Sequence, residues 1–433
     1  AASTDGIWIS DGYGLVFEIE GDFLKTWEVS KISCLPAWTA TSISTPRGAL
    51  RAFREVGDTS TLFLRLDAEE DRMRVHFNGA ASDVVVRRVE RKPEVCEKSL
   101  PDSPLSNFDV FAETWAEHYP FFSIRGADWP AIVARNRNRI ADETAPEELF
   151  SILEGMIAPF EDAHTFIRAE SPERRFSGSR RSPSWVERAD RERAYDLVAK
   201  YLQEPLRTFC EGQFQFGMLG PDIAYLRLLS FSGYHPDGSF ESGLEALNLA
   251  LDEVFYFGPA WHGLVIDVRI NDGGADPYGL AIASRLTGGV YVAYAKQARN
   301  DPSDPTRWTV EQPSFVPPRV PGFHGPIVEL IGIQSVSAAE TFTQALLSRR
   351  PEVIRVGENT QGVFSDVLVR KLPNGWRFGL PNERFVTDGL SYDGAGIAPD
   401  VTVSSFTPEG LASGRDAGIE FALELLRGAE QTR

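Results

Sequence analysis

Four stretches of the chain combine residue types that acid–base or nucleophilic chemistry needs. Glu161-Asp162-Ala163-His164-Thr165 sets a histidine among carboxylates. A neutral imidazole is the natural general base for a hydroxyl nucleophile, although a lone histidine serves equally as a packed or surface residue. Leu264-Val-Ile-Asp-Val-Arg-Ile-Asn-Asp-Gly273-Gly274 runs an apolar strand into a glycine pair. Such a pair makes a tight turn without any function; it also lets backbone N–H groups approach a reacting carbonyl as half of an oxyanion hole. In Ser335-Val336-Ser337-Ala338-Ala339-Glu340 a strand ends and an amphipathic helix begins. Ser337 to Glu340 has the spacing of a capping box, and equally places a serine hydroxyl among free donors at a helix N-terminus. The pattern leaves both readings open. Asp388-Gly-Leu-Ser-Tyr-Asp393-Gly-Ala-Gly396 offers two carboxylates, Asp388 and Asp393, either of which has the chemistry to orient a histidine.

Other chemistries lack their signatures. The histidines at 76, 118, 164, 235, 262 and 324 show no metal-ligand spacing, and neither do Cys34, Cys96 and Cys210. There is no phosphate-loop lysine and no dinucleotide fingerprint. No metal or organic cofactor is therefore expected. The cysteines suit one bridge and one free thiol. Lys and Arg number 44 against 62 Asp and Glu, a net charge of −18, which disfavours a nucleic-acid partner. The apolar runs are too short for a membrane span. Ala1-Ala2-Ser3 is compatible with the remnant of a cleaved signal peptide, giving a secreted or periplasmic expectation.

Positioning these residues requires several elements, and 433 residues suffice for two to four domains. From Gly6 to about Val89, apolar residues alternate at period two between turn signals, predicting a small β-barrel or sandwich. Arg87 to Lys98 has linker composition. Helices are expected after Ser106, as the capping residue, after Asp128 with its early proline at 130, and from Pro146 to Met156. The basic stretch Arg168 to Ser184 reads as a solvated loop or a lid. From about Glu187, strands and helices alternate, the mark of an α/β layered core. The expected division is a β-rich domain at 1–93, a helical subdomain at 94–186 carrying His164, and an α/β core at 187–433.

Taken together and in order, these stretches resemble the C-terminal processing peptidase family, which includes tail-specific proteases and the tricorn protease core. The matching text is Val-Ile-Asp-Val-Arg-Ile-Asn-Asp-Gly-Gly, Ser-Val-Ser-Ala-Ala-Glu, Val356-Gly-Glu-Asn-Thr-Gln-Gly362 and Gly394-Ala-Gly-Ile-Ala-Pro-Asp400. The resemblance covers about residues 105 to 405. It implies a crotonase-like (ClpP-like) core, a nucleophile at Ser337, and oxyanion donors from the backbone N–H of Gly273 or Gly274 and of Ala338. Tail-specific members place a lysine base where this chain has Val363. Tricorn-like members use a histidine in an Asp-x-His-Thr-like segment, which Asp162 to Thr165 matches, and a glutamate where this chain has Asp393. There is no room for a PDZ insert.

The expected function is thus a serine peptidase with a Ser337-His164-Asp393 triad, cleaving peptide or protein substrates through an acyl-enzyme, possible self-association following from the core type. Two rivals stand beside it: a non-catalytic ligand-binding module on the same core, and a triad hydrolase acting on esters or small amides.

Overall fold

The computed structural model describes residues 3–45, 51–67, 71–179, 188–301, 303–304 and 306–428. The chain forms two compact units. One comprises Ala1–Arg180, Lys296–Gln312 and Ser365–Arg384; the other comprises Arg181–Ala295, Pro313–Phe364 and Phe385–Arg433.

In the first unit, eight antiparallel strands from Gly6–Ser10 to Val84–Val89 close into a barrel. The first strand pairs with the last, Ile7 opposite Val89, so no strand edge is left open. The period-two residues Trp8, Phe17, Leu24, Phe53, Leu64 and Val75 fill its interior. A disulfide between Cys34 and Cys96 ties the fourth strand to the turn Glu94–Glu97, while Cys210 is a free thiol.

Three helices follow, Pro104–His118, Trp129–Arg137 and Pro146–Ile157. The first is capped by Ser103 rather than by Ser106: the Ser103 side chain accepts the Ser106 N–H, because Pro104 already occupies the first turn. Asp128 caps the second as its sequence predicts. Their apolar faces bury Phe111, Trp115, Phe150 and Met156, with Phe160 of the following turn, against Trp376 and Phe378. Each such aromatic contributes ~2 kcal/mol of burial.

The stretch from Arg168 is not a loop throughout. Phe166–Ala169 and Arg174–Ser177 form a hairpin that joins Arg377–Pro381 and Val367–Lys371 in a four-stranded sheet. Ile167 and Ala169 are buried on one face and Arg168 is exposed on the other, so charge on alternate residues masked a strand. Residues 180–184 lie outside those described.

The second unit is α/β. Its seven-stranded sheet runs in the order Arg207–Phe209, Phe214–Met218, Ile223–Leu228, Gly263–Asp267, Ile327–Ile331, Val353–Gly357, Val401–Thr402. From Ile223–Leu228 onward neighbouring strands are parallel. Helices Phe240–Phe255, Asp276–Ala283 and Ala338–Leu347 make the crossovers. Gly263–Asp267 and Ile327–Ile331 are buried at every residue, as a parallel sheet covered on both faces requires. One face packs on Leu247, Leu251 and Phe342, the other on Ile419, Leu423 and Leu426. Among the described residues no helix is long and apolar enough to cross a membrane.

Candidate active site

Beyond the two central strands of this sheet, the chain continues into a second, smaller pairing. Ile270–Asn271 lies parallel to Gln334–Ser335, with Asn271 opposite Ser335. Two residues further on stand Gly273 and Ser337. Ser337 precedes the Ala338–Leu347 helix with φ +59° and ψ −123°. The capping box with Glu340 that the spacing predicts is present, but ordinary N-caps are extended, so this backbone is not that of a plain cap. A non-glycine residue there carries roughly 1–3 kcal/mol of strain, which its surroundings must hold. They do so through the main chain: the Ser337 N–H donates to Val363 O at 3.1 Å and to Glu340 Oε2 at 3.2 Å, and Ser337 O accepts the Glu340 N–H at 2.7 Å. The earlier serine is structural. Ser335 is fully buried, donating to Val268 O at 2.7 Å and accepting the Gly332 N–H at 3.1 Å.

Asn271 shapes the facing turn. Its Nδ2 donates to Leu228 O at 2.9 Å, and its Oδ1 accepts the Gly273 N–H at 2.8 Å. Gly274 has φ +141°, and a Cβ there would fall 2.1 Å from Phe231 O. Among the described residues the N–H groups of Gly274 and Ala338 have no hydrogen-bond acceptor. A buried ion cluster fixes the strand end behind this turn. Arg269 Nη2 lies 2.6 Å from Asp267 and its Nη1 2.8 Å from Asp416. Burial pushes the Asp267 carboxyl up, and the Arg269 guanidinium more than reverses it. Removing one partner of such a cluster costs ~3–5 kcal/mol.

Glu340 organises the loop that accepts the Ser337 N–H. Fully buried, its carboxylate accepts the N–H of Gly362 at 2.5 Å and of Val363 at 2.8 Å. Burial pushes it up to about 7 against the pull of these hydrogen bonds. Gly394 N–H donates to Gly362 O at 2.8 Å, which fastens the Asp393 segment to the same loop. The two acidic candidates differ sharply. Asp388 is exposed, and with Gly389 forms a two-residue hairpin turn at φ +51° and +78° between Thr387 and Leu390. Asp393 is 7% exposed; its Oδ2 accepts the Ser391 hydroxyl at 2.6 Å and its Oδ1 stands 3.5 Å from the Phe364 nitrogen.

His164 belongs to the first unit, where an Asx turn holds it. Asp162 Oδ1 accepts the His164 N–H at 3.0 Å, and Oδ2 accepts the Tyr119 hydroxyl at 2.8 Å. Thr165 donates its N–H and hydroxyl to Asp162 O. The Asp-x-His-Thr spacing is thus a device for fixing the histidine backbone. The same unit holds a charged cluster with no sequence motif. Lys296 Nζ lies 2.5 Å from Asp366 and 3.2 Å from Glu383, which accepts the Tyr13 hydroxyl at 2.7 Å. Burial pushes the Asp366 carboxyl up; Lys296, with a smaller share from His164, brings it below its usual range.

Residues 222–403, which contain both glycines, Ser337 and Asp393, match peptidase family S41. The likeness to this family spans 182 of the 433 residues. A solved structure of a peptidase candidate from Parabacteroides merdae ATCC 43184 superposes on this chain with TM-score 0.62 at 26% identity, covering 75% of this chain and 97% of the other. Mature CPAF in complex with lactacystin superposes with TM-score 0.54 at 13% identity, over 76% of this chain and 98% of its own. No curated protein sequence matches the chain.

With this family match and these structural likenesses, the protein is a serine-type peptidase, a hydrolase. Within its second unit the structure gathers Ser337, Gly273, Gly274, Ala338 and, through the 360–363 loop, Asp393. Among the described residues no cluster of three or more His, Cys, Asp or Glu side chains is arranged to hold a metal ion.

Proposed function

We propose that this peptidase cleaves peptide bonds through an acyl-enzyme, with Ser337 as nucleophile, His164 as base and Asp393 as the carboxylate that orients the histidine. The observation that supports it best is the strained Ser337 backbone lying against Gly273 with two amide donors, Gly274 and Ala338, unengaged beside it. A helix cap needs neither the strain nor the donors; a tetrahedral oxyanion needs both donors. Ser337 Oγ attacks the scissile carbonyl as His164 takes its proton, and the Gly274 and Ala338 amides receive the oxyanion. His164 then protonates the leaving amine, and water resolves the ester. Gly273 N–H is engaged by Asn271, so Gly274 is the donor we assign from the pair. Asp393 is preferred to Asp388 because it is buried while Asp388 serves a turn. The layered parallel core is of crotonase type in this reading, and the Cys34–Cys96 bridge supports a secreted or periplasmic setting.

Intact mass after fluorophosphonate treatment tests the assignment without knowledge of the substrate. One adduct on Ser337, absent from His164→Ala, is the expected result. An adduct that survives His164→Ala removes His164 as base. No adduct on the parent favours a binding module over a hydrolase.

A further inference from the structure

The first unit also carries a groove of about 310 Å³ lined by Gly14, Ser30, Lys31, Glu117, His118 and Arg299, among others. Its wall contains two polar side chains that the fold buries and leaves unanswered. His118 is 4% exposed and Arg299 6%. Among the described residues neither ring nitrogen of His118 nor Nε of Arg299 has a hydrogen-bond partner, although Arg299 Nη1 donates to Tyr119 O at 2.8 Å. Buried polar atoms are nearly always satisfied, so these call for an occupant. Gly14 keeps the space open. With φ +58° it tolerates no side chain easily, and a Cβ would fall 2.5 Å from Val29 O and 2.9 Å from His118 Nε2.

The electrostatics favour an anion. Burial and the nearby Arg370 and Arg299 guanidinia push His118 well below its ordinary value, so it is a neutral ring with one donor and one acceptor. Arg299 contributes a fixed cation, and Lys31 a second, its ammonium 3.9 Å from Glu113. The opposing carboxylate, Glu117, is already engaged by the Lys31 N–H at 2.7 Å, and burial pushes it up to about 7. What the wall has left to offer is mainly N–H donors beside positive charge.

We propose that this groove binds a small carboxylate-bearing molecule, its carboxylate accepting from Arg299 Nε and a His118 ring N–H. The remaining His118 nitrogen and Glu117 accept from a hydroxyl or amino group on the same ligand. Nothing in this site depends on the peptidase mechanism.

Succinate and malate, each against its neutral diamide (succinamide and malamide), are suitable probes for calorimetry and for following the histidine ring resonances of labelled full-length protein. The acids should bind at millimolar concentration or tighter and move the His118 resonances, and the amides should not. Arg299→Gln should weaken acid binding ~10-fold or more. Should that variant fail to fold, the acid–amide contrast on the parent decides. Equal binding of acid and amide, or acid binding that leaves His118 unmoved, overturns the proposal. So does the absence of any binding, since water then fills the groove.

Discussion

Gly273 and Ser337 occupy equivalent steps on two paired segments, each two residues beyond the Asn271–Ser335 pair, and a Cβ on Gly273 would lie 2.7 Å from the Ser337 Cβ. The relation follows from the strand ends. Parallel pairing advances both chains at the same rise, so residues at equal offsets arrive together. Glycine at one of them lets the backbone, with its N–H groups, take the place a side chain would fill.

Gly273→Ala should therefore cost activity out of proportion to its size. The added methyl meets Ser337 Cβ and Val336 O at 2.7 Å, and the position has φ +78°. Hydrolysis should drop at least ~100-fold, the scale of a lost oxyanion donor. Stability should fall by ~2 kcal/mol. Steady-state kinetics with urea unfolding separates the two effects, and unchanged turnover would detach the glycine turn from the chemistry.

Ser337→Gly distinguishes a strained serine from a helix cap. At an ordinary cap the change costs a few tenths of a kcal/mol. At φ +59° and ψ −123° glycine relieves the backbone, so the variant should be inert yet ~1 kcal/mol more stable than the parent. A loss of stability would restore the capping role.

Much of this arrangement is legible in the sequence. Alternation of Phe17, Ile19, Leu62 and Leu64 announced strands, and the barrel closes on them. Ser-Val-Ser-Ala-Ala-Glu announced a strand-to-helix turn. Which serine is tied into the core was not legible from pattern: the Ser335 hydroxyl donates to Val268 O, while Ser337 stands at φ +59° before the helix. The hairpin after Phe166 was hidden by arginines on its solvent face. Arg269 meets Asp416 from 147 positions away and Lys296 meets Asp366 from 70, and no local signal foretells such partners.

The Cys34–Cys96 bridge closes a loop of 62 residues around most of the barrel. Chain-entropy reasoning assigns a loop of that length about 4 kcal/mol. Cys34→Ala with Cys96→Ala should lower the thermal midpoint of the first unit's transition, and reductant should do the same to the parent but not to the variant. Identical midpoints would mean the barrel closure alone carries this stability.

Glu329 gives the protein a pH-dependent weakness at the centre of its sheet. The residue is fully buried in the Ile327–Ile331 strand; Oε1 accepts the Thr343 hydroxyl at 2.8 Å, and Oε2 has no partner among the described residues. Burial raises its carboxyl from 4.5 to about 7, opposed by the Thr343 bond and Arg355. Below the unfolded value both states are protonated and the residue is neutral in effect. Between the two values the native state keeps a proton that the unfolded state has released, so stability falls as pH rises. The loss is complete above the folded value and amounts to about 3 kcal/mol at most. Glu117 and Glu340 have the same sign, so the informative quantity is the difference between parent and variant. Glu329→Gln keeps the oxygen that Thr343 needs and cannot ionise. Any fixed cost of the amide is the same at all pH, whereas the advantage of the variant should grow across this window and then level off. Urea unfolding at pH values below, within and above the window measures it, and a constant difference between the two proteins would show that Glu329 does not titrate there.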